Sequence, residues 1–333
     1  MLRSNHASAL LLTGLLASGC MMNTSHIREE KREPTREEKI ELYSTTATYL
    51  YDDGSLDRAQ AQAVKVLELD PKNEAMRRMI GWIRLRMGKN EDLLIAEDFF
   101  RSLIRDGDRN EATRLGLATT VERLGSAYDA AADRMEKGEQ VPGPEGGADV
   151  MREKARRYWD EALKLYSSTL TEGEGSTAAM NGMQRVYALE GKLEESLMWS
   201  ERLLARSTEE LDIWRRMLTQ VNLTEKEEKL YRDNEVISQR LQTETHLFAS
   251  SILHQLGRDA EAIAHLDAVI EANPDLPQAY SRRAQLLMST GAFDRALSDL
   301  DRYLGLTDEP FEDPSIQRAI ELRSECQAQL AQS

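Results

Sequence analysis

Cysteine is almost absent from this 333-residue chain, which has only Cys20 and Cys326. That excludes a disulfide framework and a metal site built from thiolates. Proline is scarce at eight residues, and aromatics make up 6%. Basic residues are outnumbered, giving a formal net charge of −15. An acidic chain without a basic stripe is not a nucleic-acid binder, because phosphate contacts need Lys and Arg on one face. Histidines number five: His6, His26, His246, His254 and His265. No HExxH and no carboxylate–histidine ligand spacing accompanies them, so they read as isolated surface or groove residues. A GxSxG elbow, a phosphate loop and a Gly-rich dinucleotide turn are all missing. Asp and Glu are abundant, but they follow helix-face periodicity, as a solvated charged face does. The expectation is a non-catalytic protein without metal or cofactor.

Long hydrophobic runs are also lacking. The most apolar stretch is Ala7 to Ala17, preceded by Arg3 and followed by small residues up to Cys20. It is too short to span a bilayer and has the proportions of a signal-peptide core. From Asn23 to Lys39 the chain is polar and charged, with little to bury, and reads as a flexible tether. Length alone would fit about two globular domains.

What the chain does have is periodicity. Leu256-Gly257-Arg258-Asp259-Ala260-Glu261-Ala262 answers to Thr290-Gly291-Ala292-Phe293-Asp294-Arg295-Ala296, and the two glycines lie 34 residues apart. Each copy is a helix of apolar periodicity, a Gly-centred turn and a second helix with a small residue at a fixed offset. Gly257 ends the first helix in a left-handed conformation, Asp259 is placed to cap the next, and Ala262 lets two axes approach. Leu266, Val269 and Ile270 form a buried stripe, and Asn273-Pro274 ends the unit. This resembles the tetratricopeptide (TPR) repeat, whose period is about 34 residues. The resemblance implies an all-α, right-handed superhelical solenoid of antiparallel helix pairs, closed by a C-terminal capping helix.

On that pattern, clear repeats fall at about 39–73, 74–108, 177–208, 243–276 and 277–310. Gly54, Gly88, Gly191, Gly257 and Gly291 mark their turns, and Ala59, Ala96, Ser196, Ala262 and Ala296 are the small residues, Ala96 after a three-residue insertion. Two irregular enlarged units, 109–176 and 209–242, lie between, the first with a Pro/Gly-rich loop at 138–149 that reads as a solvated spacer. Gly88 to Gly191 spans 103 residues and Gly191 to Gly257 spans 66, close to three and two periods, so the phase reads as kept. Residues 311–333 are the capping helix, opened by Asp313-Pro314 and holding Cys326 as a small buried residue.

Leu16-Ala17-Ser18-Gly19-Cys20 resembles a bacterial lipobox, with Ala17 where Leu is more usual. The resemblance implies a signal peptide at 1–19, lipid on Cys20, and a tether at 20–38. Met21 in place of Asp points by family analogy to the outer membrane, facing the periplasm. In TPR proteins the first helix of each repeat lines a concave groove. Carried over, that places Thr48, Tyr51 and Asp52, then Arg78, Trp82 and Arg86, then Asn181 and Arg185, and then His254, Gln255, Gln285 and Met288 toward a partner. Arg78, Trp82 and Arg86 share one helical face at a spacing of four and are the most partner-like group. The alternative is that Trp82 is core and the arginines pair with local carboxylates. The reading is a lipid-anchored envelope scaffold for other proteins or extended peptides, with a soluble periplasmic chaperone-like subunit of an export system as its alternative. An enzymatic site in the loop around Pro142 to Asp149 is a third possibility.

Overall fold

The computed structural model describes residues 32–141, 146–170 and 176–332. The signal segment with Cys20, most of the tether and the 142–145 part of the loop lie outside them. Among the described residues there are thirteen helices and no strand. They pack as six antiparallel pairs: α1 (Arg36–Asp52) on α2 (Leu56–Leu69), α3 (Glu74–Met87) on α4 (Asn90–Arg105), and α5 (Glu111–Glu136) on α6 (Gly147–Leu170). Then follow α7 (Thr177–Leu189) on α8 (Leu193–Leu218), α9 (Glu225–Gln255) on α10 (Asp259–Ala272), and α11 (Pro277–Ser289) on α12 (Phe293–Leu306). A single helix, α13 (Pro314–Leu330), packs on α12 and closes the array. The chain is an all-α helical solenoid of the TPR type. Among the described residues no helix is long and apolar enough to cross a membrane.

Local chemistry explains the element boundaries. Thr35 and Glu38 form a capping box that starts α1 at Arg36, inside the stretch assigned to the tether. Gly257 (φ +73°) and Gly291 (φ +78°) take the left-handed conformation after α9 and α11, which other residues adopt only with strain. Asp313 accepts from the Ser315 N–H and Pro314 opens α13, beneath which Cys326 is fully buried. Asp259 departs from expectation. Arg258 occupies the cap position of α10, and the Asp259 carboxylate is turned to His254 and Ser289 instead.

Packing rests on small residues meeting large ones. Ala59, Ala96, Ser196, Ala262 and Ala296 are all fully buried, where the second helix of a pair crosses the first. Within and between pairs, aromatic rings of even-numbered helices sit on helical glycines of odd-numbered ones. Phe100 of α4 is wedged between Gly81 of α3 and Gly116 of α5; a β-carbon at those glycines would lie 2.8 and 2.4 Å from its ring. Trp159 of α6 lies against Gly125 of α5, and Tyr166 against Gly182 of α7. This lets α5 touch α3 and α7 as well as its sequence neighbours, so α3, α5 and α7 lie side by side in an inner layer.

The irregular units resolve differently from their sequence assignment. α5 and α6, with 26 and 24 residues, form one enlarged pair. Its loop is shorter than 138–149, because α6 already begins at Gly147. The 209–242 stretch is not a pair of its own. It is the far half of α8 (26 residues) running beside the near half of α9 (31 residues). Among the described residues the solenoid therefore has six pairs, and the spacings of 103 and 66 residues count lengthened helices, not whole repeats. Between residues 208 and 241 only Leu211 and Ser238 are buried, so this double helix is an arm. A Trp214–Tyr231 stack at 6.1 Å and an Arg215–Glu235 ion pair at 3.3 Å hold it. Successive turns alternate between the two edges of a stack of antiparallel helices, so the α5–α6 extension and the α8–α9 arm project from opposite edges.

Gly116→Ala tests the ring-on-glycine packing. Replacing Gly by Ala in a helix ordinarily stabilises by about 1 kcal/mol, whereas overpacking costs about 1–3 kcal/mol. A net destabilisation is expected here, measured as a lower urea midpoint. A gain in stability would mean that Phe100 moves aside freely.

Candidate partner-binding groove

One register line crosses the inner layer. Thr48, Trp82, Arg185 and Gln285 each lie six residues before the turn glycine of their helix, Gly54, Gly88, Gly191 and Gly291. The structure divides the candidate groove residues along and beside this line into those committed to the fold and those left open.

The arginines are largely committed. Arg78 donates from Nε to Thr113 Oγ1 (2.7 Å) and from its guanidinium to Asp108 (2.7 Å), tying α3 to the start of α5. Burial pushes the Asp108 carboxyl up. Hydrogen bonds from Thr113, Arg78 and the Asn110 N–H outweigh that and hold it below the ordinary value. Arg86 donates to the Tyr51 carbonyl (2.8 Å) in the last turn of α1 and lies over the Tyr51 ring, 5.3 Å from its centroid. Arg123 does the same to the Leu85 carbonyl (2.9 Å) in the last turn of α3, where helix carbonyls attract a cation. Arg78 and Arg86 therefore each hold a contact within the fold, although Arg86 itself is exposed. Trp82 is half-buried, with its ring edge-on to Phe100 at 5.8 Å.

Arg185 forms a bidentate pair with Glu122 of α5, at 2.7 and 2.8 Å. Tyr166 of α6 donates to the same carboxylate (2.6 Å), and the Thr119 hydroxyl is 3.1 Å from the Tyr166 oxygen. Three helices thus meet on one buried carboxylate. Burial works against the Arg185 charge, but Glu122 prevails and raises its pKa. Burial, followed by the Glu122 charge, raises that of Tyr166. Asn181 is half-buried, its Oδ1 accepting from Gln184 (2.8 Å). No sequence signal pairs Glu122 with Arg185, 63 positions away.

Several positions remain open. Thr48, Asp52, Gln255 and Gln285 are exposed, and Tyr51 and Met288 are half-buried. His254 is exposed and bonded through Nδ1 to Asp259 (2.7 Å), whose Oδ2 accepts from Ser289 of α11 (3.0 Å). Tyr49, which the repeat pattern does not single out, is the most exposed aromatic of α1 at 69%. The histidines are not all isolated: His246 of α9 and His265 of α10 have their Nδ1 atoms 2.8 Å apart. Among the described residues, no group of three or more His, Cys, Asp or Glu is arranged to hold a metal ion.

The family described as the tetratricopeptide repeat matches residues 243–276, which span the end of α9, the Gly257 turn and α10. No curated protein sequence matches the chain. Among solved structures it is similar to the nuclear import adaptor Nro1 of S. pombe (10% identity, 87% of this chain and 99% of that one, TM-score 0.46). It is also similar to a tetratricopeptide repeat protein from Parabacteroides merdae (15%, 86% and 99%, TM-score 0.36). A third is a thermophilic TPR protein from Thermus thermophilus (15%, 88% and 99%, TM-score 0.30).

Two measurements follow from the committed residues. Arg185→Ala strands the Glu122 charge and is expected to cost about 1–3 kcal/mol, read as a lower urea midpoint, with Glu122→Gln/Arg185→Ala recovering part of the loss. Asp108 has a folded pKa below its unfolded value of about 3.9. Its stabilisation is complete above that value and is lost as pH falls through the lowered folded pKa. Asp108→Asn should therefore lower Tm at pH 7 and flatten the acid limb of the Tm–pH curve below about pH 4.

Proposed function

We propose that this chain is a lipid-anchored scaffold of the bacterial cell envelope that holds an extended segment of a partner protein along its inner helical layer. One observation carries the binding part: the register line leaves Thr48 and Gln285 exposed, beside inner helices whose spacing is held by arginine contacts. A groove held at fixed spacing by Arg78, Arg86 and Arg185 need not order itself when a partner arrives, which lowers the entropic cost of binding. The partner's main chain suits the hydroxyl and carboxamide groups of Thr48 and Gln285, and the exposed Tyr49 and the open edge of Trp82 suit an apolar or aromatic side chain. Anchoring rests on the lipobox-like Leu16–Cys20 segment, which the polar stretch to Thr35 joins to α1. Acyl chains on one cysteine would hold the protein firmly at a membrane. The address proposed is the outer membrane, facing the periplasm.

The test combines mass spectrometry of the mature N-terminus with partner capture from envelope membranes. Wild type is expected to carry acyl mass on Cys20 and to fractionate with membrane, whereas Cys20→Ser is soluble. Thr48→Glu/Gln285→Glu, at exposed positions, is expected to lose the captured partner at unchanged Tm. Retention of the partner by that variant overturns the groove assignment. A wild-type protein without acyl mass overturns the anchor and leaves a soluble periplasmic subunit as the reading.

A further inference from the structure

We propose that His246 and His265 form an interhelical site for a divalent transition metal ion, of the class that accepts square-planar nitrogen and oxygen donors, Cu2+ above all. The two residues project from α9 and α10 toward one another, with Nδ1 atoms 2.8 Å apart and ring planes inclined by 54°. At that distance one ring N–H donates to the bare nitrogen of the other, so both imidazoles point a ring nitrogen into the same small volume. A metal ion can take the place of that hydrogen bond once the donating ring carries its proton on Nε2, which leaves both Nδ1 atoms bare.

The hydrogen-bonded spacing suits one metal class without a change of distance. With metal–nitrogen bonds of about 2.0 Å, two cis ligands of a square-planar ion are about 2.8 Å apart, whereas tetrahedral ligands need about 3.3 Å. The observed separation matches the first, so the rings must pivot but not part. Copper also stands at the top of the divalent affinity order for imidazole. Among the described residues no set of three or more His, Cys, Asp or Glu completes a ligand cage, so water takes the remaining positions. That suits an open, exchangeable site. Access exists: His246 lines a cleft of about 360 Å³ with Gln242 and Thr243, where the arm runs past the end of α10.

Two carboxylates stand near the site, and Arg215 lines the cleft that reaches it. Glu201 of α8 and Glu261 of α10 act on His265 through their negative charge.

The experiment is titration of the full-length protein with Cu2+ alone, followed by calorimetry and electron paramagnetic resonance. One ion per chain with hyperfine splitting from two imidazole nitrogens is expected. His246→Gln and His265→Gln should each weaken binding at least tenfold, while His6→Gln/His26→Gln leaves this component unchanged. Loss of the signal only in the His6/His26 variant, or unchanged affinity in both single variants, overturns the site. The nitrogen count is read on the wild type, so a variant that folds poorly does not blunt the test: a spectrum showing one nitrogen or none also overturns it.

Discussion

The arrangement depends on aromatic rings occupying the space that a glycine leaves on a helix. Phe100 between Gly81 and Gly116 is the plainest case, since a β-carbon on either glycine would enter the ring. The same exchange of side chain for ring recurs with Trp159 on Gly125 and Tyr166 on Gly182. Because these rings come from the outer helices, they pull three successive inner helices, α3, α5 and α7, into direct contact. Only at that distance can Arg78 reach Asp108, Arg123 reach the Leu85 carbonyl, and Arg185 reach Glu122. The arginine pairs are consequences of the close approach, and the spacing of the binding face follows from both.

Features governed by local rules were legible in the sequence. The turn glycines, the small residues after them, the Asp313-Pro314 start and the burial of Cys326 each depend on a few neighbouring positions. Long-range partners were not legible. Arg78, Arg86 and Arg185 fall on the partner-facing register of the repeat, yet they spend their donors on Asp108, the Tyr51 carbonyl and Glu122, which are brought close only by packing. The His246–His265 contact was hidden for the same reason. The α8–α9 arm misled in another way. Gly191 to Gly257 exceeds one period by 32 residues, almost a full repeat, and lengthened helices keep the same heptad-like apolar periodicity as a true pair. Spacing counts residues without showing where the chain turns back.

The sites occupy different parts of the fold. The proposed binding face lies on the inner layer, the proposed two-histidine site lies at the root of the arm, and the enlarged α5–α6 pair projects from the opposite edge. None competes for the same side chains, because successive pairs touch only their neighbours. A linear array can thus carry separate functions in separate segments without one disturbing another.

The apolar clusters along the array are unequal, and this bears on how the molecule comes apart. The middle pairs share a cluster containing Phe100, Trp159 and Tyr166, while the first pair contributes to two small clusters built mainly from Ala47, Leu50, Ala59, Ala63, Val66 and Ile80. In a one-dimensional array each segment opens at a free energy set by its own burial and that of its neighbours. The central block is the last cooperative unit to open, and the end nearest Cys20 is the first. Amide protons of α1 and α2 will exchange with solvent long before those around Glu122. A pulling force applied through the N-terminus would therefore be absorbed by peeling of the first pair, with the central groove left folded.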